Sequence, residues 1–197
     1  MKLKVLFFLF LLQLSYSQET ENKNLVKFNH DIRVNLIIPS TFGDNFLAKA
    51  SDSHLGIGTN FSFLRIHNFK LGAGYDFIPY STTDISMAGN IKSSEFHMLY
   101  GDVSYEIKIT DKLNFEPYFG YGGAKLKFKS DGRSFGNQTG NNIRVGLNTD
   151  YQLAKRFSVY FGFCYLKSNL DINTSPEFVS FYDNTALFQF NFGIKIH

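Results

Sequence analysis

The chain has 197 residues, of which 44% are hydrophobic and 17% aromatic, with 20 basic and 17 acidic side chains. One domain accounts for this length. The formal net charge is +3, but the sequence has no basic patch interleaved with aromatic residues of the kind that nucleic-acid binding needs. The single cysteine, Cys164, excludes an internal disulfide framework and a cysteine-based zinc site. We therefore expect no metal, no cofactor and no nucleic-acid partner.

The N-terminus has the pattern of a cleaved secretory signal peptide. Lys2 and Lys4 form a positive segment, a mostly apolar run of about ten residues follows, and Ser15-Tyr16-Ser17 is a small-x-small cleavage site. A transmembrane helix needs ~20 apolar residues, so we expect cleavage after residue 17 rather than retention as an anchor. Residues 18–26 then form a polar lead, and the folded domain is predicted over 27–197.

The folded part is predicted to be all-β, an antiparallel up-and-down meander. His67, Asp111 and Lys155 recur at a spacing of 44 residues, each at the centre of a short polar turn. Longer loops rich in Ser, Asn, Asp and Gly alternate with these turns, and this alternation indicates eight strands that close into a barrel. The predicted strands are approximately 27–38, 53–65, 69–79, 95–109, 113–128, 142–153, 157–167 and 186–197, and the predicted loops are 39–52, 80–94, 129–141 and 168–185.

Most strands alternate bulky apolar residues with glycine and charged or polar residues. In the third strand, Leu71, Ala73 and Tyr75 occupy one face, whereas the other face carries Gly72 and Gly74. The interior of an eight-stranded barrel is only wide enough for side chains, so the face with glycine and charge suits the lumen. The apolar face then points to lipid, which predicts a transmembrane barrel with short periplasmic turns and long extracellular loops.

The fifth strand carries an expected irregularity. Its alternation reverses near Gly122-Gly123, and a β-bulge there would let Ala124, Leu126 and Phe128 continue the outward row.

Two segments resemble known outer-membrane barrels. Residues 115–123, with the sequence Phe-Glu-Pro-Tyr-Phe-Gly-Tyr-Gly-Gly, resemble the Pro-Tyr-x-Gly-x-Gly stretch of bacterial barrel domains of the OmpA, OmpX and OmpW type, and residues 71–75 are similar to their other glycine-alternating strands. PorT-like barrels are a looser likeness. The resemblance covers roughly 27–197 and implies a Gram-negative outer membrane, the barrel-assembly machinery, and contact with outer-membrane lipid and lipopolysaccharide. One departure is the terminal Ile196-His197, where such proteins end in an aromatic residue.

The inward face is predicted to hold a polar network, because unpaired charges without bulk water are costly. We expect Lys70, Glu106, Lys108 and Glu116 to meet near the turn end, and Arg33 to reach Asp102 across the lumen. This network either plugs the barrel and fixes its register or gates a narrow conductance. Its predicted members are Arg33, Lys70, Asp76, Asp102, Glu106, Lys108, Glu116, Arg144, Asp150 and Lys195.

Specific contacts are expected in the loops, which a rigid barrel presents as a platform. Phe178, Phe181 and Tyr182 in the last loop either form a contact surface for an extracellular protein or glycan or extend the aromatic girdle. The third loop is basic, and Lys127 and Lys129, together with Arg133, are candidates for contact with anionic lipopolysaccharide.

Ser93, Glu95 and His97 share one outward row, which raises the alternative of a lipid-modifying enzyme. Residues at i and i+2 of a strand lie ~6.6 Å apart, beyond the ~2.6–3.2 Å that a nucleophile and its base need. Catalysis would therefore need a partner from a neighbouring strand. The sequence predicts a monomeric, non-enzymatic barrel with a role in envelope integrity or surface interaction, the enzyme and the narrow pore being the alternatives.

Overall fold

The computed structural model describes residues 26–172 and 176–197. The predicted signal peptide and nearly all of the polar lead lie outside the described residues. Within them, no helix combines the length and the apolar character needed to cross a membrane. The elements are β1 (Val26–Phe42), α1 (Phe46–Ala50), β2 (Ser51–Ser53), β3 (Gly56–Ile66), β4 (Phe69–Thr82), α2 (Ile85–Ala88), β5 (Ser93–Tyr105), β6 (Ile107–Lys108), β7 (Leu113–Ser130), β8 (Arg133–Ala154), β9 (Phe157–Asp171), α3 (Pro176–Tyr182) and β10 (Asn184–Ile196).

The described strands form one antiparallel sheet that closes on itself. Eight long strands follow the order β4-β3-β1-β10-β9-β8-β7-β5, and pairing of β5 with β4 closes the ring. The two short strands are accessories: β2 pairs with the end of β4, and β6 pairs with the start of β7. The eight predicted strands thus correspond to the eight long strands of this ten-stranded sheet, and β6 falls within the predicted fourth strand.

Alternation along the strands separates an inner face from an outer face. In β9, every second residue from Ser158 to Leu170 is buried, whereas Phe161, Phe163 and Tyr165 between them are exposed. Because successive side chains of a strand point to opposite faces, the buried row lies inside the ring. Bulky apolar side chains therefore cover the outside.

The predicted third loop, 129–141, is wrong. Strand β7 continues to Ser130 and β8 begins at Arg133, so that only Asp131 and Gly132 connect them. Both residues have positive φ, 50° and 76°, as a tight type I′ hairpin turn requires. Glycine accommodates such a φ without strain and aspartate tolerates it, and the result is a long hairpin in place of a loop.

The predicted bulge at Gly122-Gly123 is also wrong. Gly122 pairs with Tyr100 and Gly123 with Leu99 in unbroken register. Ala124, Leu126 and Phe128 consequently stay on the inner face, where all three are buried; the irregularity in β7 comes later, between Phe128 and Lys129 against β8.

The loop end of the ring is filled by apolar side chains. Helix α1 begins after Asn45, whose side-chain oxygen accepts a hydrogen bond from the Ala48 amide at 3.0 Å, and its Phe46, Leu47 and Ala50 are buried. Part of the predicted loop 39–52 thus turns inward and joins the core. This apolar cluster comprises Ile37, Phe46, Leu47, Ala50, Ile78, Tyr80, Ala88, Phe96, Met98, Ala124, Leu126, Phe128, Cys164, Leu166, Leu170 and Leu187.

Candidate functional site

The turn end of the interior holds a buried cluster of charges centred on Glu116. Lys70 Nζ lies 2.5 Å and Lys195 Nζ 2.9 Å from Glu116 Oε1, and Arg33 binds the other oxygen. Strands β1, β4, β7 and β10 supply these four residues, so the contacts cross the ring. The ionic cluster is Asp31, Arg33, Lys70, Glu106, Glu116, Asp150 and Lys195, all of them buried.

Each cation of the ionic cluster contacts at least two carboxylates. Lys195 Nζ also lies 2.7 Å from Asp150, and Arg33 Nη2 lies 3.1 Å from the same carboxylate. Lys70 Nζ lies 2.5 Å from Glu106 and 3.3 Å from Asp31. Shared partners of this kind offset the cost of removing charges from water and hold the strands in one register.

Two further residues bind the edge of the ionic cluster. Arg65, partly exposed, donates to Glu106 at 2.7 Å. The terminal His197 turns back to Asp31, its Nδ1 lying 3.1 Å from the carboxylate, while its Nε2 and the Ser158 hydroxyl are 2.8 Å apart. From the sequence, His197 is predictable only as a departure from an aromatic terminus, because nothing local in the sequence shows that the chain end turns inward.

A small polar cavity with a volume of about 30 Å³ lies deeper in the interior. This space suits about two waters. Arg144 donates to Asp76 at 2.8 Å and stacks on Tyr100, its Cζ lying 3.4 Å from the ring centroid. The cavity is lined by Arg33, Asn35, Asn60, Asp76, Tyr100, Asp102, Tyr118, Arg144, Asn148, Tyr160 and Asn191.

Two predicted features of the network differ from the structure. Arg33 binds Glu116 and Asp150 rather than Asp102, which instead accepts a hydrogen bond from Asn60 at 2.7 Å. Lys108, expected among the inward charges, is exposed on the two-residue strand β6. The inward row of the preceding strand stops at Glu106, where β5 has already ended, so Lys108 does not continue it.

The aromatic residues predicted for loop contact are partly committed to internal packing. The ring centroids of Phe181 and Tyr182 lie 6.4 Å and 5.4 Å from that of Phe46 in the apolar cluster. The Tyr182 hydroxyl also donates to the Met87 carbonyl at 3.0 Å. The side chain of Phe178 lies outside the described residues. Helices α1 and α3 therefore pack together at the loop end.

The outward row of Ser93, Glu95 and His97 gains a neighbour on β4. The Tyr75 hydroxyl and His97 Nδ1 share a hydrogen bond of 2.6 Å, and His97 Nε2 lies 3.5 Å from Glu95. Both imidazole nitrogens thus face groups other than Ser93, and within the described residues no hydrogen bond joins Ser93 to His97. The arrangement lacks the contact between nucleophile and base that the enzyme alternative needs.

The basic residues assigned to the third loop lie on strands. Lys127 and Lys129 are on β7, and Arg133 is the first residue of β8.

No group of three or more His, Cys, Asp or Glu side chains suited to a metal ion occurs in the described part of the chain.

Comparison with solved structures shows that the chain shares the fold of neisserial surface protein A. Neisserial surface protein A (NspA) is 11% identical, and the match covers 84% of this chain and 95% of NspA with a TM-score of 0.59. Ail of Yersinia pestis (11% identity, 85% and 99% covered, TM-score 0.44) and OprG of Pseudomonas aeruginosa (12%, 86% and 96%, TM-score 0.45) also match. No family model and no curated protein matches the chain. At this identity the similarity to NspA shows the fold alone.

Proposed function

We propose that the chain is an exported, monomeric, eight-stranded transmembrane barrel of a Gram-negative outer membrane, inserted by the barrel-assembly machinery. Its role is non-enzymatic and lies in envelope integrity or in surface interaction through the loop end. The observation that carries this proposal is the polarity of the two faces of the ring. This polarity is also what the sequence resemblance to OmpA-, OmpX- and OmpW-type domains implies.

The outer wall exposes large apolar side chains, which is unfavourable in water. Leu99 is 65% and Phe192 60% exposed, whereas Glu116 and Lys195 inside the ring are 0% exposed. Soluble monomers rarely expose a large contiguous apolar patch, and they rarely bury a cluster of charges in its place. Both features suit a barrel whose surroundings are lipid and whose strands alternate apolar-out with polar-in.

The interior supports a plugged lumen rather than a pore. At the turn end, each cation of the ionic cluster is bound by at least two carboxylates, and at the loop end the apolar cluster is packed around α1. An ion passing along the axis would meet both in series, with the small polar cavity between them. Conduction would need one of these barriers to open.

With a closed interior, contacts with other molecules fall on the loop end. Helix α2 presents Ile85 and Met87 there, 71% and 46% exposed, beside the packed helices α1 and α3. Exposed apolar side chains on a rigid platform are suited to contact with a protein or glycan at the cell surface.

Electrophoresis of the detergent-folded mature chain tests the barrel. Closed membrane barrels resist denaturation by detergent until they are heated, so we expect an unboiled band that migrates differently from the boiled one. Wild-type protein should leave a planar bilayer electrically silent. A chain that is soluble without detergent and shows no heat-dependent shift would overturn the proposal.

Labelling of intact cells tests the orientation. Cys164 is buried, which leaves a low background for a membrane-impermeant maleimide. Arg133→Cys at the tip of the β7–β8 hairpin should be labelled, whereas the matched basic-to-Cys variant Lys155→Cys, in a predicted periplasmic turn, should be labelled only after lysis. The reverse pattern would place the turns, rather than the loops, outside the cell.

A further inference from the structure

Three lysines form one outward row near the tip of the β7–β8 hairpin. Lys125, Lys127 and Lys129 alternate with the buried Leu126 and Phe128, so their side chains leave the outer face of the ring. We refer to these three residues as the lysine row. In register, they lie opposite His97, Glu95 and Ser93 of β5.

Only part of the positive charge of the lysine row is neutralised. Lys129 forms an ion pair with Glu95, and the hydrogen bond between Tyr75 and His97 occupies one nitrogen of the imidazole. Within residues 26–172 and 176–197, Lys125 and Lys127 form no ion pair and no side-chain hydrogen bond. Two ammonium groups are therefore available to an anion on the outer wall.

Directly toward the middle of the ring, the same outward face is apolar and shallow. Leu99 and Tyr121 are 65% and 53% exposed there. Gly123 lies between them in the register, opposite Leu99 and two residues from Tyr121. A Cβ built on Gly123 would have no neighbour nearer than 3.9 Å, and one on Gly101 none nearer than 3.8 Å. The missing side chains leave a depression in the outer wall beside the lysine row, where hydrocarbon can make van der Waals contact with the wall.

We infer that the lysine row binds a phosphate of a phosphorylated glycolipid, the lipid A part of lipopolysaccharide, whose acyl chain lies in the depression beside Leu99 and Gly123. Ammonium groups form charge-assisted hydrogen bonds with phosphate oxygens, and an apolar wall immediately below them matches a molecule with an anionic head and a hydrocarbon tail. A soluble phosphate would gain nothing from that wall.

This inference rests on the proposed function, because the wall must face lipid and the loop end must face the outer leaflet. In that leaflet the abundant lipid with phosphate groups is lipopolysaccharide. The Glu95–Lys129 and Tyr75–His97 contacts hold β4, β5 and β7 together without using Lys125 or Lys127. These two ammonium groups therefore bind the phosphate.

Native mass spectrometry of the detergent-folded protein with bisphosphorylated lipid A measures the binding. We expect a 1:1 complex with the wild type and affinity roughly 10- to 30-fold weaker in Lys125→Gln/Lys127→Gln, the size expected for two lysines near an anionic lipid surface. The matched control, Lys108→Gln/Lys112→Gln, removes the same charge from exposed positions at the turn end and should bind as the wild type does.

The remaining outcomes decide against the inference. Equal loss in both double variants would show attraction by net charge alone. Phosphatidylglycerol bound as tightly as lipid A, and lost in the same variant, would replace lipid A with a general anionic lipid. Heat-dependent migration is measured on the same samples: a shifted band without lipid A binding overturns only this site, whereas an unshifted band overturns the barrel itself.

Discussion

The Lys195 ammonium lies 2.9 Å from Glu116 Oε1, although β10 and β7 are separated by two strands in the ring. This contact crosses the interior, and Arg33 and Lys70 bind the same carboxylate from two other strands. Glu116 therefore joins four strands through one side chain. Loss of its charge should destabilise the whole ring rather than one strand pair.

Glu116→Gln should lower the free energy of unfolding by about 3–5 kcal/mol, because three buried cations lose a shared counter-charge. Urea unfolding of the protein folded in lipid vesicles measures this loss. Asp111→Asn, in an exposed turn, is the matched acid-to-amide control and should leave stability nearly unchanged. A Glu116→Gln protein as stable as this control would mean that the ionic cluster carries little of the stability.

Arg144 and Asp76 should be strongly coupled. Asp76→Leu leaves the buried Arg144 guanidinium without its 2.8 Å partner, and we expect a loss of about 3–5 kcal/mol. Replacing both residues by leucine removes the buried charge altogether and should recover much of that loss. A double-mutant cycle measured by urea unfolding checks this, and strictly additive losses would contradict the coupling.

The strand number, the faces and most of the ring can be predicted from the sequence, since they follow from period-2 alternation and turn spacing. The third loop is predicted wrongly although Asp131-Gly132 is a hairpin signal in its own right. The polar residues that follow the turn, such as Asn137 and Thr139, are typical of a loop, although they belong to β8. The parity of Ala124 and Phe128 was misread because apolar residues point inward at the loop end.

The candidate site is only partly predictable for a different reason. Alternation shows that Arg33, Lys70 and Glu116 face inward, but which cation meets which carboxylate depends on the stagger of strands distant in sequence. With the observed stagger, Arg33 binds Glu116 and Asp150, and Asp102 accepts a hydrogen bond from Asn60. The sequence does not predict that α1 turns into the ring, because Phe46 and Leu47 are also compatible with an exposed loop.

Two adjacent glycines should respond differently to a methyl group. A Cβ on Gly122 would overlap the Leu99 carbonyl oxygen of the neighbouring strand, whereas one on Gly123 would have no neighbour nearer than 3.9 Å. We expect Gly122→Ala to cost about 1–3 kcal/mol as overpacking, and Gly123→Ala to be nearly neutral in urea unfolding. Equal effects would contradict the unbroken register between β5 and β7.

Phe46 should be a principal contact of the apolar cluster. It is 2% exposed and packs edge-on against Phe128, with ring centroids 5.9 Å apart. Phe46→Ala should cost about 3–5 kcal/mol and speed hydrogen exchange in α1. Phe135→Ala, at a position 56% exposed on β8, is the control of equal size. Unchanged exchange in Phe46→Ala would mean that α1 is held by its backbone contacts alone.

The ion pair at the hairpin tip should give a measurable titration. Lys92, between α2 and β5, binds Asp131, and this hydrogen bond together with the lysine charge lowers the pKa of the Asp131 carboxyl. The pair should therefore be formed above the ordinary aspartate pKa and be lost as the pH falls through the lowered value. Carboxyl ¹³C NMR of Asp131 measures this pKa, which should rise in Lys92→Met. Lys112→Met, at the opposite end of the ring, should leave it unchanged, and an equal rise in both variants would contradict a specific contact.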